Sequence, residues 1–287
     1  MKFCVSLTTI PSRIKNVYKT IENLNNQTIK PDKIFLNIPN EYKRFKNEKI
    51  SENDINDLKN LNVEITRCED FGPATKLMGS LEKVKDYNCV ILIDDDHLYY
   101  KNIFQIFIEE FKKNSINYSF YLNKILNIKM GQCCDGFLIN TKLLDKIDIF
   151  YEKFVKNNKN MFLDDDLWFA IYLQNVKKSK IENLIEKFRS VSKDEGVPLD
   201  NKGRKIVYSQ HSNSTIDSLH LNEHKKRFSR GMNLNYNTSN NAEYIVPSNI
   251  SIYDLAISFK NILDSLPENN ELDICASEPP LRLTPAP

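Results

Sequence analysis

Two triplets of aspartate are the residues of this 287-residue chain best suited to chemistry. Asp94-Asp95-Asp96 directly follows the apolar run CVILI, and Asp164-Asp165-Asp166 directly precedes LWFAIYL. Adjacent carboxylates repel one another unless water or a cation separates them. If the backbone stays extended past Ile93, the first and third side chains of the first triplet project to one side. Such a pair of hard oxygen ligands suits Mg²⁺ or Mn²⁺, ions that keep places for water and for substrate phosphates. Taken alone, the triplet reads equally well as a solvated turn. The second triplet opens a predicted helix, where N-capping and the macrodipole favour aspartate without any catalytic role.

The elements that must position these carboxylates follow from hydrophobic periodicity. KFCVSL (2–7) reads as a buried strand, and the segment 11–27 follows with Ile14, Val17, Ile21 and Leu24 at helical spacing and Pro11 in its first turn. DKIFLNIP (32–39) and NVEITRC (62–68) read as strands on either side of a polar stretch, 40–60. Leu77, Leu81 and Val84 share one face of a predicted helix over 72–84, which leads into the strand 89–93. NIFQIFIEEFKKN (102–114) is a further amphipathic helix, 136–147 a strand with a short helix, and 163–175 a helix with an acidic opening turn. Alternating strands and helices predict an α/β fold, a mostly parallel sheet flanked by helices. In such sheets ligands bind beyond the C-terminal ends of the strands, which is where Asp94–Asp96 stand.

Composition adds limits. Hydrophobic residues make up 41% and charged residues 27%, ordinary for a soluble globular chain. Forty basic side chains against 38 acidic ones leave a net charge of +2, which gives no general attraction for nucleic acid. No apolar run reaches the length of a membrane span, and the N-terminus is apolar for too few residues to be a signal peptide, so a cytoplasmic location is expected; peripheral membrane contact stays open. The six cysteines show no C-x-x-C pair and are expected to be reduced thiols.

Five segments together resemble one family. VSLTTIPSRI, FGPATKL, ILIDDDHLYY, GQCCDGFLI and DDDLWFAIYL occur, over roughly residues 3–175, in the order and spacing of metal-dependent glycosyltransferases of the GT-A fold, a Rossmann-like architecture. The likeness is to small bacterial-type and virus-encoded members. It implies a nucleotide-sugar donor, a UDP-sugar by expectation, and a glycan, lipid or protein acceptor. It implies that Thr8, Thr9 and Arg13 lie around the nucleotide, that Asp70 and Lys76 meet the base and the phosphate side of the donor, and that Gly72-Pro73 turns the chain between them. Asp94 and Asp96 would hold Mn²⁺ or Mg²⁺ on the donor diphosphate, with Asp95 meeting ribose or metal. Asp165 or Asp166 would be the general base of an inverting transfer. GQCCDGFLI departs from the family's glycine-rich version at Cys133, Cys134 and Asp135.

Other readings weigh beside this one. A nucleotidyltransferase or metal-dependent phosphotransferase also needs paired carboxylates, but it expects a Gly-rich phosphate loop where this chain has Thr-Thr-Ile-Pro. A non-catalytic binding module would use Asp165 and Asp166 only to cap a helix. Trp168 reads as core or as a sugar-stacking surface, and His97 as a neighbour of the site and not a ligand. His211, His220 and His224 match no motif, and HKKRFSR (224–230) reads as a solvated basic face or a loop closing on phosphates. The organisation expected is a transferase domain over 1–235, an extension over 236–275 carrying an amphipathic helix (251–266), and a proline-rich tail over 276–287.

Overall fold

The computed structural model describes residues 1–125, 128–185, 187, 261–262 and 264–265. Among the described residues nine strands run in chain order: β1 (Phe3–Thr8), β2 (Lys33–Pro39), β3 (Glu64–Cys68), β4 (Cys89–Leu92), β5 (Asn117–Ser119), β6 (Leu122–Ile125), β7 (Ile128–Gly131), β8 (Phe137–Asn140) and β9 (Ile181–Asn183). Seven form one sheet in the order β3-β2-β1-β4-β8-β5-β9, while β6 and β7 make a separate antiparallel hairpin. β3, β2, β1 and β4 are mutually parallel; β8 alone runs against its neighbours, β4 and β5, and β9 pairs parallel with β5. The expected α/β fold with a mostly parallel sheet flanked by helices is therefore present.

Among the described residues up to Leu184 the α-helices are α1 (Ile14–Asn25), α2 (Thr75–Met78), α3 (Leu81–Val84), α4 (Ile103–Lys113), α5 (Ile147–Phe150), α6 (Lys159–Phe162) and α7 (Asp165–Ile171). The strands sort their side chains by parity, because successive residues point to opposite faces. Val5, Leu7, Leu36, Ile91 and Ile93 pack with α1 and α4, through Val17, Ile21, Leu24, Phe104 and Phe107. Cys4, Phe35, Val90 and Leu92 pack on the other face with Leu77, Leu81, Val84, Phe150, Trp168 and Tyr172. Both faces are covered, so β1, β2 and β4 are buried on both sides and show no regular polar alternation; β4 is wholly apolar, while Ser6 of β1 and Asn37 of β2 are buried polar residues.

Several expectations are corrected. The helix over 72–84 is broken into a 3₁₀ turn, Gly72–Ala74, then α2 and α3. A Cβ on Gly79 would lie 2.7 Å from Cβ of Asn37 and 2.8 Å from Sγ of Cys68, so α2 presses its backbone onto β2 and β3 at this break. The polar stretch before β3 holds a 3₁₀ helix, Asn53–Asn60, that buries Ile55 and Leu58. β5, β6, β7 and β9, only three or four residues each, carry too little periodicity to be read from sequence.

Trp168 is fully buried beside Phe150, Tyr151 and Phe169, so it is core and offers no stacking surface. The five described cysteines are free thiols. Among the described residues no helix is long and apolar enough to cross a membrane. Of the predicted helix 251–266, the described residues 261–262 and 264–265 are helical, and Ile262 is buried against the α7 side of the sheet. The remainder of that helix, His211, His220, His224, the segment 224–230, Cys275, both expected domain boundaries and the tail 276–287 lie outside the described residues.

Candidate active site

The C-terminal ends of β1 and β4 lie side by side, since Ser6 is in register with Leu92. β8 runs the other way, so its start at Phe137 faces Leu92 and delivers the loop Gln132–Gly136 to the same edge. α7 begins at this edge as well. Its N-cap is Asp164, whose Oδ1 accepts from the backbone N–H of Leu167 at 3.2 Å, leaving Asp165 and Asp166 in the first turn.

Parity decides where the first triplet points. Asp94 leaves the strand toward the face of Leu92, and Asp95 toward the face of Ile93 and α1. On the α1 side, Asp95 accepts from Thr9 Oγ1 at 2.6 Å and from Arg13 Nη1 at 2.8 Å, while Thr20 Oγ1 donates to its carbonyl at 2.7 Å. On the other side, Asp94 Oδ1 meets Lys76 Nζ at 2.5 Å, and the same ammonium lies 3.1 Å from Asp165 Oδ2. Lys76 thus joins the end of β4 to the start of α7. Its main chain is fixed too, because its carbonyl accepts from Ser6 Oγ and from Asn37 Nδ2.

The premise that Asp94 and Asp96 project together does not hold. β4 ends at Leu92 and the chain turns at Asp95-Asp96, which swings Asp96 toward the α1 side. Asp96 Oδ2 shares Arg13 Nη1 at 3.1 Å, and its Oδ1 lies 2.8 Å from His97 Nδ1. His97 is therefore a neighbour of the acidic group through Asp96. As ligands for a divalent cation the two carboxylates fit in kind, being hard oxygen donors. They differ in availability: 31% of the Asp94 side chain is exposed against 6% of Asp96, so Asp94 is the open one and Asp96 would have to loosen an existing pair.

Electrostatics follow from burial and partners. Burial is the largest influence on the Asp94 carboxyl and raises it, but the charge and hydrogen bond of Lys76 together with His97 bring the net value below the usual carboxylate range. For Asp95 burial wins over Arg13 and the value is raised. Burial lowers Lys76, yet Asp165 and Asp94 lift it well above an ordinary lysine, so it is a permanent cation. Asp166 is raised well above the usual range by burial and then by the neighbouring Asp165 charge. Its Oδ1 accepts from the backbone N–H of Cys133 at 2.9 Å, and Cys133, Asp165 and Asp166 bring ligand atoms within 4.8 Å of one another.

Thr8 and Asp70 lie apart from this cluster in their contacts. Thr8 Oγ1 donates to the Asn37 carbonyl at 2.8 Å, closing the end of β1 onto β2. Asp70, buried, accepts from Lys43 N at 2.7 Å and from Gly72 N at 2.8 Å, and so fixes the turn in which Gly72 takes φ +65°. Sequence reasoning missed Tyr99. Its hydroxyl accepts from Asp94 N at 3.2 Å and donates to the Cys134 carbonyl at 3.1 Å, tying the acidic segment to the Gln132–Gly136 loop. Asn23 of α1 holds the Tyr99 backbone at both N–H and carbonyl. The only trace of this in the sequence is the aromatic pair Tyr99-Tyr100 just past the triplet.

No family model matches the chain, and no curated protein matches it. Among solved structures it is similar to S. aureus TarS 1-349, with TM-score 0.38 and 14% identity over 52% of this chain and 50% of that one. The same protein in complex with UDP gives TM-score 0.41 and 14% identity over 60% and 56%. CMP:2-keto-3-deoxy-manno-octonic acid synthetase complexed with CTP gives TM-score 0.40 and 8% identity over 68% of this chain and 98% of that one. The chain spans about half the length of the TarS fragment.

Proposed function

We propose that this chain is a GT-A-type glycosyltransferase that moves a sugar from a nucleotide-sugar, a UDP-sugar by preference, to an acceptor hydroxyl with inversion. One observation supports it above the rest: Lys76 links Asp94, at the end of a central parallel strand, to Asp165, in the first turn of α7. A donor-side carboxylate and the neighbour of the proposed base are thereby held against one cation, at the strand ends where such sheets bind ligands. A helix cap alone needs no link to the acidic strand end.

Of the two base candidates, Asp166 suits the task better. Asp165 is buried and paired with Lys76, whereas Asp166 is partly exposed and its carboxyl is raised well above the usual range, so as a base it holds a proton more strongly than an ordinary carboxylate. In the reaction, Asp166 takes the proton of the acceptor hydroxyl as its oxygen bonds to the anomeric carbon. The bond from that carbon to the diphosphate oxygen breaks, and its electron pair leaves with the nucleoside diphosphate. Lys76 and Arg13 supply fixed positive charge at the edge where the diphosphate is expected. Asp94, and Asp96 after loosening from Arg13 or His97, would hold Mn²⁺ or Mg²⁺, which when bound offsets the charge growing on the leaving group.

The test is a panel of nucleotide-sugars incubated with MnCl₂, reading nucleoside diphosphate release with and without simple glycan acceptors. Release from at least one donor, abolished by Asp166→Asn, is the expected result. Pyrophosphate release from a nucleoside triphosphate and a sugar phosphate, with every nucleotide-sugar inert, would overturn the reading.

A further inference from the structure

Lys76 is a positive charge built into the place where a cation is wanted. Its side chain is 5% exposed, its Nζ touches Asp94 Oδ1 at 2.5 Å and Asp165 Oδ2 at 3.1 Å, and its main chain is anchored by Ser6 and Asn37. Behind it, Asp166 and Cys133 complete a group with Asp165 whose ligand atoms lie within 4.8 Å of one another. Without the ammonium, Asp94 and Asp165 would lose the positive charge they share, leaving hard oxygen donors of the kind that suits a divalent cation. Asp94 is also the most exposed carboxylate of the first triplet, so the oxygen that Lys76 covers belongs to the ligand most open to a metal.

We propose that Lys76 is an internal stand-in for the divalent cation: in the ligand-free protein it occupies Asp94, and metal binding to Asp94 is coupled to its withdrawal toward Asp165 and the donor diphosphate. Two like charges in contact with one carboxylate repel. A free divalent ion therefore meets a site that already has its cation, and affinity in the absence of donor is low. A donor diphosphate changes the balance, because it gives the displaced ammonium a new anionic partner. The lysine thus makes metal and donor binding cooperative. The inference rests on the metal-dependent transferase reading and goes beyond it by assigning Lys76 a competing role toward the metal.

The experiment is Mn²⁺ binding followed by loss of the free six-line electron paramagnetic resonance signal, with MnCl₂ alone and with MnCl₂ plus UDP. It compares wild type, Lys76→Met, Asp165→Asn and Lys76→Met/Asp165→Asn, each verified as folded by circular dichroism. In the double variant one negative and one positive charge leave together, which keeps a comparison with Asp165→Asn available should the single lysine variant fail to fold. Removing Lys76 is expected to tighten Mn²⁺ binding without UDP by tenfold or more in both backgrounds and to shrink the gain that UDP brings to wild type. Equal or weaker Mn²⁺ binding after removal of Lys76, in a protein whose wild type binds Mn²⁺ with UDP, overturns the stand-in role and leaves the transferase reading intact. No Mn²⁺ binding to any form, with or without UDP, overturns the metal-dependent reading and the inference with it.

Discussion

Arg13 Nη1 and Asp95 Oδ1 meet at 2.8 Å, joining residues 82 positions apart across the ends of β1 and β4. The same nitrogen reaches Asp96 Oδ2 at 3.1 Å, so one guanidinium holds two consecutive carboxylates that would otherwise repel. Each is about 95% buried, and neither could stay ionised there without such a partner. Arg13→Ala is therefore expected to destabilise the protein by about 2–3 kcal/mol, below the usual cost of breaking a fully buried pair because part of Arg13 reaches water. Arg13→Lys should recover only a fraction, since a point ammonium lacks the planar fork. Urea denaturation of the three proteins measures both effects.

Asp165 and Asp166 should separate by function. Asp166→Asn is expected to lower kcat by about 10²–10⁴-fold, the usual contribution of a general base, with UDP binding in the presence of Mn²⁺ unchanged. Asp165→Asn removes the second partner of Lys76 and should weaken donor binding as well as turnover. Calorimetry with UDP and steady-state kinetics together distinguish the two patterns. Equal loss of UDP affinity in both variants would contradict the assignment.

The raised pKa of Asp166 has a sign that can be checked. Between the unfolded carboxylate value of about 3.9 and the higher native value, the folded protein keeps a proton that the unfolded chain has lost. The stability this group contributes is full below about pH 4 and is lost as pH rises through the native value. Asp166→Asn lacks that loss while its amide oxygen can still accept from Cys133 N. Thermal melts carried upward in pH from about 4 should thus show the variant gaining Tm relative to wild type as pH passes the native value of Asp166. Activity runs oppositely: kcat/KM of wild type should rise with pH through the same native value, as the base is freed of its proton.

Gly79 controls where Lys76 sits. An added Cβ would press against Asn37 and Cys68 at distances no side chain tolerates, and the backbone there leads directly back to Lys76. Gly79→Ala is expected to cost about 1–3 kcal/mol through overpacking and to lower donor affinity by shifting α2. Gly131→Ala is the comparison: the nearest atoms to its new Cβ would be those of the Phe137 ring, at 3.0 Å, so its effect on donor affinity should be smaller.

How much could be read in advance differs by element. β1, β2 and β4 are short, mainly apolar runs, β2 closed by Pro39 and β4 followed by the Asp triplet, and α1 and α4 keep helical spacing over 12 and 11 residues, so local sequence specified them. The break between α2 and α3 was hidden, because Leu77, Leu81 and Val84 are all buried and fit an unbroken helix equally well. It exists for the approach of Gly79 to β2 and β3, a long-range contact that no window of sequence contains.

The candidate site divides in the same way. Sequence alone determined which residue types stand at the ends of β1 and β4 and at the start of α7, since turn and capping chemistry place Thr, Arg and Asp there through local interactions. Only the tertiary structure decided their partners. The pleat sent Asp94 toward α7 and Asp95 toward α1, the turn after Asp94 carried Asp96 to Arg13, and the reversal of β8 brought Cys133 and Cys134 to the acidic edge. Strand parity, a single turn and strand direction act over three dimensions, and a linear spacing of aspartates records none of them.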